Sequence, residues 1–202
     1  MIRTARMLTR YNAWSNRLMF DAVAALPAGE PAKERVSLFK NMLHTLNHNY
    51  VIDAIWRAHL EGRAHGYAAR NTADHPELAE LWRMQQAMDA WYVDWCDALT
   101  DAALDEKINF TLIGGAAGTM TRNEILLHVV NHTSYHRGFV CDMFFQVPAR
   151  PPTMDLPVFL REAPQARRHA HASLLPARGN HRGASSANNA GRQARAGAVR
   201  FW

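Results

Sequence analysis

Cysteine is scarce in this chain, and long apolar runs are missing. Two cysteines in 202 residues, Cys96 and Cys141, provide no disulfide framework and no C-x-x-C metal or redox pattern. No stretch approaches the roughly 20 apolar residues of a membrane span. Arg3, Arg6 and Arg10 interrupt the N-terminus, so it has no signal-peptide core. We therefore expect a soluble, cytoplasmic protein with no membrane partner.

The common catalytic motifs are also missing. The chain has no nucleophile elbow, no P-loop and no G-x-G-x-x-G strand–helix turn. It also lacks the H-E-x-x-H of metalloproteases, so no glutamate lies between paired histidines as a peptidase base. These absences exclude the commonest nucleotide-binding and hydrolytic sites that a sequence can reveal.

Acidic residues and lysine are absent from residue 165 onward, where seven arginines occur. Because the whole chain carries a net charge of +5 and these arginines carry +7, the first 164 residues carry −2. The basic character therefore belongs to an Arg/Ala/Gly-rich tail, and we do not expect a nucleic-acid partner. We predict one domain over residues 1–163 and a disordered tail over residues 164–202.

Apolar residues at spacings of three and four predict four long helices. They cover residues 2–25, residues 36–61, a stretch from Asp74 to about Leu99, and one from Thr121 to just before Pro148. The third connection, residues 107–120, reads as two short extended pieces around Gly114-Gly115. The sequence thus predicts an all-α four-helix bundle with a short irregular or hairpin segment before the last helix. Its predicted core contains Tyr11, Trp14, Leu18, Ile52, Ile55, Trp56, Leu81, Trp95, Val129, Phe139 and Val140.

The last helix carries the most informative pattern, because His128, His132 and His136 are four residues apart. In a helix each such step advances about 40°, so the three imidazoles share one edge. That edge lies within the apolar face, where buried imidazoles need partners for their ring nitrogens. His132 and His136 are one turn apart and can bind one ion.

A third ligand must come from another helix. His48 lies at the centre of the apolar face of the second helix and is the best candidate, with His44, one turn earlier, as its competitor. We expect His128 to lie just outside the ligand set or to be simply packed. Three histidines favour a divalent ion such as zinc or nickel and leave one coordination position open.

Three segments then resemble a known family. They are YNAWSNRLMFDAVAALP, LHTLNHNYVIDAIW and LLHVVNHTSYHRGFV, in this order and at this spacing. Together they resemble the DinB/YfiT-like family over roughly residues 1–163. The resemblance implies a four-helix bundle, usually a homodimer, with a divalent ion held by His48, His132 and His136. Phe139 departs from the pattern, because the family usually has Gln after Arg-Gly.

The resemblance also suggests a chemistry, since some relatives are transferases or isomerases that activate a low-molecular-weight thiol. We expect a metal-dependent thiol S-transferase, with a small-molecule thiol and an electrophile as partners. One alternative is a metal-stabilised structural or stress-response binding module without turnover. Another is a metal-hydroxide hydrolase, although the histidine motif offers no carboxylate as a base. A closed coordination shell would favour the module, and an open position facing a pocket would favour catalysis.

A second apolar stripe on the last helix predicts a subunit contact. It lies opposite the histidines, and a lone bundle would leave part of it in water. We therefore expect a homodimer, unless the first helix and residues 107–120 cover the stripe within the monomer. The stripe consists of Leu126, Leu127, Val130, Phe144 and Phe145.

Overall fold

A computed structural model of the protein describes residues 1–162, and these residues are mostly helical. The long helices surround a core, and a short helix and a two-stranded hairpin precede the last of them. The elements are α1 (Ile2–Ala24), α2 (Met42–Leu60), α3 (Leu78–Ala98), α4 (Asp101–Leu104), β1 (Lys107–Thr111), β2 (Ala117–Thr121) and α5 (Arg122–Phe144). The predicted all-α bundle with a hairpin is confirmed. The predicted tail lies outside the described residues.

The four long helices pack so that α2 contacts both α3 and α5, and α1 contacts both α3 and α5. The apolar interior forms two clusters, one around Ile52, Trp56 and Val129, the other around Met19 and Met143. No helix in the described part of the chain is long and apolar enough to cross a membrane. The pairing of α2 with α5 matters most for function, because these two helices carry the candidate histidines.

The hairpin closes over one end of α2. Its antiparallel strands pair Lys107 with Thr121, and its turn contains two glycines with φ of 103° and 93°. The Phe110 ring lies across Gly118, where an added Cβ would come within 2.5 Å of the ring. The same ring packs edge-on against Trp56 of α2, with centroids 4.9 Å apart. The hairpin is thereby fixed against the helix that carries His48.

Helix α2 begins later than the apolar pattern predicted. Residues 36–41 are not helical, and the helix starts at Met42. Asn41 is its N-cap: the side-chain oxygen accepts a hydrogen bond from the His44 backbone N–H at 2.7 Å. Lys40 has a φ of 67°, which is incompatible with a continuous helix. The loop that replaces the predicted first turns brings Phe39 to the histidines.

Helix α3 also begins later, at Leu78 rather than at Asp74. A proline disfavours helical backbone at the residue before it, and Pro76 therefore excludes His75 from the first turn. The Asp74 carbonyl instead accepts a hydrogen bond from the Thr72 hydroxyl. The predicted start of this helix at Asp74 is wrong.

The predicted core was partly wrong, most clearly on α1. Tyr11, Trp14 and Leu18 are only half-buried, as are Trp95 and Phe139. The face of α1 that is buried is the neighbouring one, and it is largely polar. Its buried residues are Ala5, Thr9, Asn12, Ser15, Asn16, Met19, Phe20 and Val23. The other six predicted core residues are buried.

Most of the second apolar stripe on α5 is covered within the monomer. Leu126, Val130 and Phe144 are at most 7% exposed, whereas Leu127 is 45% and Phe145 76% exposed. The buried members pack against residues of α1 and the neighbouring helices. The expectation that this stripe forms a continuous subunit contact is therefore wrong for three of its five residues.

Candidate metal centre

Three histidines converge between α2 and α5. The candidate ligand atoms of His48, His132 and His136 all lie within 4.8 Å of one another. The Nε2 atoms of His48 and His132 are 3.1 Å apart. Two nitrogens bound to one zinc-like ion at about 2.0–2.1 Å lie about 2.9–3.4 Å apart for angles between 90° and tetrahedral. The spacing therefore fits two ligands of one ion.

Local helix geometry positions the α5 pair. Thr121 and Glu124 form a capping box: the Thr121 hydroxyl accepts from the Glu124 backbone N–H, and the Glu124 carboxylate accepts from the Thr121 backbone N–H. From that start, His132 and His136 follow one turn apart, with ring centroids 4.5 Å apart. The capped helix thus presents both imidazoles toward α2.

A hydrogen bond fixes the tautomer of His48. Its Nδ1 lies 2.7 Å from the backbone oxygen of Arg70, and a carbonyl can only accept, so Nδ1 carries the proton. Nε2 is then left with a lone pair directed toward His132. Histidine ligands commonly donate their other N–H to a carbonyl in this way, which fixes the ring orientation.

The other two histidines have unpartnered nitrogens. The Nδ1 atoms of His132 and His136 are buried and have no hydrogen-bond partner among the described residues. Buried polar atoms without partners are uncommon and are often found at functional sites. An imidazole donor set suits zinc, nickel, copper or iron, so these residues fit a divalent ion of that class.

Burial keeps these imidazoles neutral. It lowers the pKa of His132 to about 3, with a further contribution from its histidine neighbours, and the pKa of His136 to about 4. Burial also lowers the pKa of His48, and the Arg70 charge lowers it further, although the hydrogen bond to the Arg70 carbonyl opposes this. At neutral pH the three rings therefore have lone pairs available for a metal.

An aromatic ring and a cavity adjoin the histidines. The Phe39 ring stacks on His48, with centroids 4.3 Å apart, and lies 5.5 Å from His136. The same three side chains, together with His132, line a cavity of about 610 Å³. Its apolar wall is formed by Leu38, Phe39, Ile52, Ile55, Trp56, Leu112, Ile113 and Tyr135. The histidine group is thus partly covered by the Phe39 ring and accessible to a small molecule from the cavity.

The remaining candidate histidines occupy different positions. His128 lines the same cavity, with its ring 5.5 Å from His132 and edge-on to Trp56 at 5.1 Å. His44 is not near the group: its Nε2 is 3.1 Å from the Ala73 backbone oxygen. The structure therefore places His48, and not His44, next to His132 and His136.

Sequence reasoning missed two residues beside the histidines. Phe39 falls in the predicted second helix, and Arg70 falls between the second and third predicted helices. Both lie in irregular segments whose course depends on tertiary contacts, so no periodic pattern in the sequence could have located them.

A buried polar layer lies between the two apolar clusters. Arg137, 2% exposed, donates hydrogen bonds of 2.7 Å to the side-chain oxygens of Asn12 and Asn16 and one of 2.9 Å to Ser134. Asn16 in turn donates to Asp89 at 2.9 Å. The guanidinium next to His136 is thereby tied to α1 and, through Asn16, to α3.

The same layer continues into α2. Gln85 donates to Asp53 at 3.1 Å and to Asp89 at 3.0 Å, and the Thr133 hydroxyl lies 3.4 Å from Asp53. Burial raises the pKa of Asp53 to about 8 and that of Asp89 to about 6. All four long helices therefore contribute to one buried network beside the histidines.

Comparisons with known proteins agree on one family. The sequence model of the DinB family matches residues 1–169. Protein DinB of Bacillus subtilis strain 168 is 28% identical over 143 residues, which cover 69% of this chain and 83% of that protein. A crystal structure of a DinB-like protein from Bacillus cereus ATCC 10987 superimposes with a TM-score of 0.53 at 17% identity, covering 71% of this chain and 91% of that one. At that identity the structural likeness shows the fold alone.

Proposed function

The chain belongs to the DinB family, and from that premise we propose that it is a metal-dependent thiol S-transferase. In this proposal His48, His132 and His136 hold a divalent ion, zinc or nickel. The observation that carries the proposal is the convergence of three neutral imidazoles at the wall of an accessible cavity. Three protein ligands and a free position are typical of catalytic rather than structural zinc sites.

The chain's own residues have separable roles in this proposal. An ion held there would lower the pKa of a bound thiol, so that the thiol reacts as its thiolate. Phe39 covers part of the His48 ring, and the Arg70 carbonyl holds His48 in the tautomer that can bind. The apolar wall provides a surface for the electrophile. Cys96 and Cys141 do not line the cavity, so the thiol is supplied by a second small molecule.

The two alternatives have less support. For a metal-hydroxide hydrolase the histidine motif offers no carboxylate as a base, and none of the described residues that line the cavity is Asp or Glu. A purely structural metal site is normally closed by a fourth protein ligand. Within residues 1–162, the group contains three histidines and no further Cys, Asp or Glu ligand.

A small-thiol assay tests the proposal. We expect the zinc-loaded full chain to accelerate the reaction of cysteine with monobromobimane at least tenfold over the metal-free chain. In this reaction the sulfur forms a C–S bond, bromide leaves and the thiol proton passes to the buffer. Mass spectrometry identifies the thioether. His132→Ala should lose the acceleration, whereas His75→Ala, whose ring packs against His44 away from the group, should keep it.

Other outcomes of this assay would contradict the proposal. Equal rates with and without metal would show that the ion plays no part in the reaction. Stoichiometric metal without acceleration for a panel of thiols, including cysteine, glutathione and coenzyme A, would favour the structural module.

The homodimer also belongs to the proposal. Leu127 and Phe145 are exposed and eighteen residues apart, so they lie on one line along the outer face of α5. Pairing this face with a second copy would bury both. We expect light scattering to give twice the 22.8 kDa chain mass and Phe145→Glu to give the monomer. A monomeric wild-type chain at micromolar concentration would contradict a dimer.

A further inference from the structure

The permanent charge of the cavity wall is positive only. Of the described residues that line the cavity, Arg70 is the only one with a permanent charge, and none is acidic. The Arg70 guanidinium has no hydrogen bond or ion pair with any described residue. Other arginines in the same region do have partners: Arg57 and Arg63 both pair with Glu61. An unpaired arginine beside an apolar wall is therefore a distinctive feature of this cavity.

Arg70 is tied to the histidine group by its backbone. Its carbonyl accepts the hydrogen bond from His48 Nδ1, so the residue cannot move away without breaking that contact. Apart from Arg70 and five histidines, the wall is aromatic and aliphatic, including Trp56, Ile113 and Tyr135. Because a guanidinium binds a carboxylate through two parallel N–H···O bonds, the wall and the charge together suit one kind of molecule.

We propose that the cavity takes an aromatic or similarly apolar monoanion whose carboxylate pairs with Arg70. This inference rests on the proposed function in one respect, because it identifies this molecule as the electrophilic substrate of the thiol transfer. The apolar body lies against Trp56 and Ile113, and the carboxylate fixes the orientation of the body relative to the histidines. A cavity of about 610 Å³ lies within the range of about 300–1,000 Å³ that is usual for small-molecule sites.

A matched pair of probes tests the charge requirement. 2-Naphthoate and 2-naphthamide have nearly the same shape and differ in charge. We expect isothermal titration calorimetry of the full chain to show naphthoate binding at least tenfold more tightly than naphthamide. The preference should be present in metal-free as well as zinc-loaded protein, because it arises from Arg70 and not from the ion.

Three variants test whether Arg70 causes the preference for naphthoate over naphthamide. Arg70→Gln should reduce the preference to less than about twofold, and Arg70→Lys, which keeps the charge, should retain part of it. Arg63→Gln is the matched control, since Arg63 lies in the same loop and does not line the cavity. It should bind both probes as the wild type does. Arg70 is exposed, so its substitution should leave the fold and the metal content unchanged.

Several results would overturn the inference. They are equal binding of the two probes, a preference that survives Arg70→Gln, and a preference that disappears in Arg63→Gln. A preference present only in zinc-loaded protein would place the carboxylate on the ion and would also overturn it. Metal content and the bimane assay are measured separately, so a failure of the thiol transfer is distinguishable from a failure of the Arg70 pairing.

Discussion

His136→Ala is expected to weaken metal binding by more than about 100-fold, so that dialysed protein no longer contains stoichiometric zinc or nickel. Changing a residue that only orients a metal ligand already costs about 10–100-fold, and a direct ligand contributes more. His136 is 5% exposed and completes the group with His48 and His132. Without it two nitrogens remain, and the alanine leaves a gap that solvent can enter.

His128→Ala is the control for this experiment, because His128 lies on the same edge of α5 but outside the group. It should keep one metal ion per chain. The measurements are elemental analysis after dialysis and competition with a chromophoric chelator. Undiminished metal in His136→Ala, or equal losses in both variants, would show that the ligand assignment is wrong.

Arg137→Met should destabilise the metal-free fold by about 3–5 kcal/mol, the usual cost of removing one partner from a buried ionic network. The methionine has a comparable apolar stem but donates no hydrogen bond. Asn12 and Asn16 would then lose their donor, and Asp89 would lose the nearby positive charge. Urea unfolding followed by circular dichroism measures the difference.

The matched control is Arg122→Met, on the same helix. Arg122 pairs with the exposed Glu106 at 2.7 Å, and ion pairs at a protein surface contribute about 0–1 kcal/mol. This variant should therefore lose less than about 1 kcal/mol. Similar losses in the two variants would mean that the buried network contributes little beyond an ordinary surface pair.

The sequence predicted which histidines come together because their geometry is local. The spacing of His132 and His136 and the cap at Thr121 depend only on α5 being a helix. His48 followed from the apolar face of α2, which is buried as expected. Whether these residues bind a metal remains a prediction that the structure supports by proximity.

The buried face of α1 could not be predicted from the sequence in the same way. The apolar pattern pointed to Tyr11 and Trp14, but both rings are half-buried and pack against Phe159. The inward face carries Asn12 and Asn16 because Arg137 needs buried acceptors there. Hydrophobic periodicity assumes that the interior is apolar, and it fails where the partner is a buried cation.

The loops were unpredictable for a different reason. Phe39 and Arg70 reach the histidines from segments without regular structure, and their positions are set by contacts with α2. A helical wheel contains no information about such contacts, so the Phe39 ring over His48 and the charge of the cavity became visible only in three dimensions.

The polar layer also determines how the helices align along their axes. Apolar contacts between two helices persist when one helix shifts along its axis, since one methyl group can replace another in the contact. The hydrogen bonds of Arg137 do not: a displacement of α5 by one turn, about 5.4 Å, would take its guanidinium away from both asparagine oxygens. The height at which His132 and His136 face His48 is therefore set by the amide and carboxyl side chains of this layer, which lie outside the histidine group. Replacing this layer with leucines would remove the directional hydrogen bonds that align the three imidazoles, even in a bundle that still folded.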